Sequence, residues 1–222
     1  HETAAGPLRP RRLRQEEMTQ SPLSPSADAT SPLRGTVAPA RAGQGGLAFV
    51  IPTVTTARLI LREPRESDLD VMERAFRSES SRYVGGPLNR RGSWRSLLST
   101  IGHWALRGYG LWSVETRAGA LVGRVGVIRH DGRDEPELGW HIYEGHEGLG
   151  YAHEAALAAR EYASTVWGMG PLACIIAPEN ARSIALALRM GAQLEGVISD
   201  EDGPLHLYRH PAVEDGGMEA YA

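Results

Sequence analysis

The sequence predicts one α/β domain built on a mixed, mostly antiparallel sheet of seven strands, with about four helices on its faces. Three observations carry that reading. Segments of period-two and helical apolar spacing succeed one another as strand, two helices, three strands, helix, strand, helix, two strands. The 222 residues are 41% hydrophobic, enough for one substantial core and marginal for two. Three of the six links between consecutive strands are short enough for antiparallel neighbours.

The elements follow in order. Thr56–Arg62 reads as the opening strand, with Leu59 and Leu61 on one face. Ser67-Asp68 opens a helix whose apolar positions are Leu69, Met72, Ala75 and Phe76. A second helix is expected over Ser93–Leu106, where Trp94, Leu97, Leu98, Ile101 and Trp104 fall at helical spacing and Gly108 ends the run. Gly110–Thr116, Ala120–Arg129 and Glu137–Tyr143 are strands, the first two joined by the short turn Arg117-Ala118-Gly119. An alanine-rich helix covers Gly150–Val166, and an apolar strand covers Pro171–Ala177. Asn180 caps a helix from Ala181 to Met190 that Gly191 stops, and strands near 194–199 and 205–209 close the domain.

Residues 1–46 are dominated by Pro, Ser, Thr, Ala and Gly. Such a segment buries too little apolar surface to offset its ordering entropy, so a disordered extension is expected there. The folded domain is placed at 47–211, and the acidic, Gly-containing segment 212–222 is expected to fray.

Composition excludes several classes. A net charge of -3 argues against a general nucleic-acid binder, and the acidic balance of residues 47–222 argues, weakly, for a cationic acceptor drawn in by steering. All 24 basic residues are Arg, so a phosphate loop that requires Lys is ruled out. The single cysteine, Cys174, builds neither a disulfide nor a thiolate metal site and reads as a buried small hydrophobe, and the histidines do not fall at metal-ligand spacing. No apolar run approaches the ~20 residues that span a bilayer. The expectation is a cytoplasmic protein without metal or membrane contact, monomeric or homodimeric.

The most informative stretch is Glu137–Glu154, ELGWHIYEGHEGLGYAHE, in which a strand, a Gly-rich loop and a helix start follow one another. A helix N-terminus presents unpaired N–H groups and a partial positive charge, and Gly148 and Gly150 let an anion approach that backbone. This suits a phosphate or pyrophosphate, although a plain helix start uses the same residues. The dinucleotide fingerprint is excluded, because no third glycine follows Gly150 in register. Strand alternation places Glu137, Gly139, His141 and Tyr143 on one face, an ionisable face that suggests a site.

Glu147-Gly148-Leu149-Gly150-Tyr151-Ala152 resembles the acyl-CoA signature of GNAT acetyltransferases, Gln/Arg-x-x-Gly-x-Gly/Ala. The frame Glu-Leu-Gly-Trp followed by Gly-x-Gly-Tyr-Ala-x-Glu-Ala, the opening strand Thr56–Arg62, Asp68, and the segment Asn180–Ser183 before Gly191 resemble the subgroup of ribosomal-protein N-terminal acetyltransferases. The resemblance covers about 54–210. It implies a splayed central strand pair, acetyl-CoA as co-substrate, and an amine acceptor that is a peptide N-terminus or a small molecule.

Residue by residue, the resemblance assigns the pantetheine arm to the backbone of His141, Ile142 and Tyr143. It assigns the pyrophosphate to the loop at Gly148 and to the amides of Leu149, Gly150, Tyr151, Ala152 and His153. Asn180 and Ser183 fall near the sulfur. Glu137 is the expected base, with His141 as the alternative, and Ser183 is the remaining candidate for the acid, because Ala187 stands where many of these enzymes have Tyr. Glu147 departs from the signature and is expected to point outward, since a carboxylate beside a pyrophosphate is unfavourable. A non-catalytic acyl-CoA-binding module is the competing expectation.

Overall fold

The computed structural model describes residues 49–200 and 203–213. The expected N-terminal extension and nearly all of the expected C-terminal tail lie outside the described residues. The elements are β1 (Val54–Thr55), β2 (Leu59–Arg62), α1 (Leu69–Arg77), α2 (Arg90–Arg107), β3 (Leu111–Thr116), β4 (Leu121–Ile128), β5 (Glu137–Ile142), α3 (Tyr151–Thr165), β6 (Ala173–Ile176), α4 (Ala181–Arg189), β7 (Gln193–Asp200) and β8 (Gly203–Arg209). Short 3-10 turns occupy Glu66–Asp68 and Glu79–Val84.

The sheet has eight strands in the order β1-β2-β3-β4-β5-β6-β8-β7. Only β5 and β6 run parallel. The extra strand arises because Thr56 Oγ1 accepts from the Leu59 amide and breaks the expected opening strand into β1 and β2. Helix α2 also begins earlier than its apolar spacing suggests. Asn89 Oδ1 caps the Gly92 amide, whereas Ser93, the expected start, is fully buried inside the helix.

One face of the sheet is covered by α3. Leu59, Leu61, Trp112, Val114, Val122 and Val127 pack there against Ala155, Ala156 and Ala159, whose methyl side chains let the helix approach closely. At the edge of this core Trp112 stacks on Trp167 at 5.4 Å, and its indole N–H donates to the Pro52 carbonyl. The second core lies under α1 and α2 and is built from Leu69, Met72, Phe76, Leu97 and Tyr143. No described helix is long and apolar enough to cross a membrane.

Asp68 ties these layers together. Its carboxylate accepts from Arg62 Nη1 and Nη2, from the Arg65 amide and from Ser113 Oγ, while Arg62 Nε also reaches Glu115. Burial alone would raise the Asp68 pKa, but the hydrogen bonds from Arg62, Arg65 and Ser113 and the Arg62 charge outweigh it and hold the carboxyl below its ordinary range. Its stabilisation is therefore present above the unfolded carboxyl pKa and is lost as pH falls through the folded one. Asp68→Ala leaves Arg62 buried with one carboxylate partner in place of two, and we expect a loss of about 3 kcal/mol in urea unfolding at neutral pH.

Candidate active site

The parallel neighbours β5 and β6 share a single register pair, Glu137 with Ala173. On its other side β5 pairs with β4 at six successive positions. Beyond Glu137, the β6-facing edge of β5 is thus left without a strand partner, as the splayed pair requires. Two cavities meet along this divergence. One, of about 460 Å³, is walled by β4, β5, β6 from Cys174 onward, α2 and the 3-10 turn at 79–84. The other, of about 590 Å³, runs toward the start of α3 and along α4. Tyr83, Val84, Trp140, His141, Asn180 and Ser183 line both, so these residues mark the passage between them.

The second cavity contains most of the residues that the signature assigns to the cofactor. His141, Ile142, Gly148, Gly150, Tyr151, Ala152, His153, Asn180 and Ser183 all line it. Tyr143 and Leu149 do not. Tyr143 is buried in the core under α1 and α2, its amide donates to the Val122 carbonyl, and its own carbonyl accepts from the His146 amide. The Leu149 side chain is exposed and its carbonyl accepts from Arg58 Nη1.

Gly148 and Gly150 have φ of 75° and 80°, backbone that an L side chain rarely adopts, and no side chain caps α3 at Gly150. The amides of the first turn are therefore not claimed by a cap. Glu154, the acid in that turn, is turned away to Thr56 Oγ1, the Arg58 amide and Arg58 Nε at 2.6 Å. Glu147 is not turned outward as expected. It lines the cavity, and Arg182 Nη1 sits 3.0 Å from its Oε1. That arginine neutralises the carboxylate, which removes the electrostatic objection to it. Arg189, also on α4, and Arg82, in the 3-10 turn at 79–84, line the same wall. Pyrophosphate chemistry fits this wall: left-handed glycines, helix-start amides without a side-chain cap, and three guanidinium groups, one of them paired with Glu147.

Glu137 lines the first cavity and is nearly buried. Burial pushes its pKa up, to about 7, against the opposing effects of Arg133 and a hydrogen bond from the Ile175 backbone. His130 Nε2 stands 3.4 Å from Glu137 Oε1 and is itself open to solvent. His141, also nearly buried, behaves oppositely. Burial and the neighbouring Arg124 charge push its pKa down to about 3, so the ring is neutral at physiological pH. Cys174 is buried as expected, its thiol pushed up to about 12 by burial and by the Glu137 charge. Ser183 stands at the passage, and its amide caps onto Asn180 Oδ1 at 3.2 Å. Among the described residues, no group of three His, Cys, Asp or Glu side chains could hold a metal.

Sequence reasoning missed Tyr83, Arg124, Ser96 and Thr100 on these walls. Only Arg124 carried a signal, as a lone charge in the apolar run Leu121–Ile128.

A family model described as an acetyltransferase (GNAT) domain matches residues 58–193. The crystal structure of an acetyltransferase from Agrobacterium tumefaciens strain C58 aligns with a TM-score of 0.68 at 33% identity, covering 77% of this chain and 100% of that one. The protein YkkB of Bacillus subtilis strain 168 is 32% identical over 107 residues, 46% of this chain. The match spans 62% of that relative's own length, less than two thirds. RimL, a ribosomal L7/L12 α-N-protein acetyltransferase solved with coenzyme A, aligns with a TM-score of 0.60 at 14% identity over 71% of this chain and 96% of that one, a likeness of fold alone.

Proposed function

The chain belongs to the GNAT acetyltransferase family, and on that premise we propose that it transfers an acetyl group from acetyl-CoA to a primary amine by direct attack, both substrates being bound together. The observation that carries the reading is Glu137, a carboxyl held near neutrality on the wall of one cavity, beside a passage into a second cavity with a phosphate-compatible end. A base must be ionised to act and still basic enough to take a proton, and a pKa near the working pH serves both needs.

In this reading acetyl-CoA lies in the second cavity. The amides of Gly150, Tyr151, Ala152 and His153 hold its pyrophosphate, with Arg182 and Arg189 nearby, and the pantetheine arm pairs with the free edge of β5 at His141 and Ile142. The acceptor enters through the first cavity and gives a proton to Glu137, directly or through one water. The proton leaves by way of His130. The amine nitrogen then bonds to the thioester carbonyl carbon, the carbon–sulfur bond breaks, and the departing thiolate takes a proton through the Ser183 hydroxyl, which solvent reprotonates as it gives its own, or from solvent directly, while the nitrogen loses its second proton to Glu137. The products are the N-acetylated amine and free CoA. A low-pKa neutral imidazole is a poor base, so His141 is left to binding.

The test is the pH dependence of acetyl transfer. We expect kcat/KM to rise with pH and level off with a midpoint near pH 7, following ionisation of Glu137. A profile with no midpoint near neutrality, rising only with deprotonation of the free amine, would remove Glu137 from the base role.

A further inference from the structure

Arg124 is the unexplained charge in the first cavity. It sits in β4 directly across from His141 in β5, and its side chain is over the Phe76 ring at 4.7 Å. Its guanidinium gives one hydrogen bond to Ser96 Oγ at 3.0 Å and a long one to the Val84 carbonyl at 3.5 Å. It has no carboxylate partner among the described residues. Other well-packed arginines do: Arg62 has Asp68 and Glu115, and Arg209 has Glu135 and Glu195. Burial disfavours the Arg124 charge, yet a guanidinium cannot give up its proton in a protein. A charge so placed is costly unless an anion meets it.

His141 reinforces the point. The residue is more than nine-tenths buried, and neither ring nitrogen has a hydrogen-bond partner among the described residues. The neutral ring carries one N–H donor and one acceptor. Phe76 packs edge-on to this imidazole at 5.3 Å as well as beneath the guanidinium, so one fully buried ring fixes both groups. Both line the same cavity as Glu137. A fork of guanidinium donors beside a single imidazole N–H matches the two oxygens of a carboxylate.

We propose that Arg124 and His141 bind a carboxylate of the acceptor, so that the amine offered to Glu137 belongs to a free amino acid or a closely similar carboxylate-bearing amine. This rests on the acetyl-transfer reading above. The spacing suits a small molecule. Glu137 lies four residues from His141 along β5, about 13 Å at the rise of an extended strand, a span that the amine and carboxylate of one small molecule cover with a water between the amine and Glu137. A cationic polyamine would bring positive charge against Arg124. The acidic balance of residues 47–222 therefore misleads about the acceptor, because Arg124 and Arg129 bring positive charge to the wall itself.

The test uses the full chain with acetyl-CoA and a panel of the common L-amino acids, each beside its carboxamide and its decarboxylated amine. At least one acid should be preferred over both partners by about 10- to 100-fold in kcat/KM, mostly through KM, as expected for a charge-assisted hydrogen-bonded pair. In Arg124→Gln that preference should fall to near unity, with the Kd of acetyl-CoA unchanged. Arg124→Lys, which keeps the charge, should recover part of it. The parent comparison needs no variant and stands even if one fails to fold. An amide or polyamine taken as well as any acid, or no acid bound at millimolar concentration, overturns the proposal. Failure of the acetyl-transfer reading looks different: acetyl-CoA itself then fails to bind, or is not turned over with any amine.

Discussion

Glu137→Gln should lower kcat by about 100-fold or more while leaving the Kd of acetyl-CoA within about twofold, the usual contribution of a positioned base. The substitution keeps the shape and the hydrogen-bonding reach of the side chain but cannot accept a proton. The inflection near pH 7 should vanish with it, because it belongs to this carboxyl. The same change should stabilise the fold. The folded pKa of Glu137 lies above the unfolded value of 4.5, so the folded state binds an extra proton across that window. Stability is full below the unfolded pKa and falls as pH rises through the folded one. Replacing the buried carboxylate by a neutral amide removes that loss, a gain on the order of 3 kcal/mol at mildly alkaline pH. Steady-state kinetics and urea unfolding on one preparation read both effects. A variant both slower and less stable would mean that Glu137 is a structural group whose loss disturbs the site.

Gly150→Asp is the second large effect. Gly150 has φ of 80°, and a Cβ built on it would stand 3.2 Å from Arg58 Nη2, the arginine that pairs with Glu154 and covers the Tyr151 ring. The substitution adds backbone strain and places a negative charge where the free amides of α3 would meet a pyrophosphate. We expect acetyl-CoA affinity to fall by about 100-fold or more, read by calorimetry, since charged hydrogen bonds of this kind contribute about 1.5–3 kcal/mol each. Gly150→Ala, which brings the Cβ without the charge, should lose much less. Equal losses in both variants would trace the effect to the loop conformation alone.

The architecture was legible in the sequence because its signals are local. Asn180 before Ala181, Gly108 after Arg107 and the alternation of Leu59 and Leu61 each act within a few residues, and each feature appears in the structure. The misreadings came from side chains that override spacing. Thr56 broke the first strand by capping the Leu59 amide, and Asn89 started α2 outside its apolar run. The Gly-rich loop was legible because glycines at Gly148 and Gly150 serve a backbone need. The charges around the site were not. Glu147 reads as an obstacle until Arg182, 35 residues later, is seen beside it, and the lone charge of Arg124 in an apolar strand has no evident role until its wall is assembled from β4, β5, α1 and α2. Long-range electrostatics of this kind depends on which strands become neighbours, which local pattern does not encode.

The most direct test of the central claim is release of free CoA thiol from acetyl-CoA by the full chain, measured with and without added amines and matched to acetylated product by mass spectrometry. Thiol release should require an amine, equal the acetylated product mole for mole, and be lost in Glu137→Gln. Acetyl-CoA binding without amine-dependent thiol release would contradict the claim and leave a non-catalytic acyl-CoA-binding module.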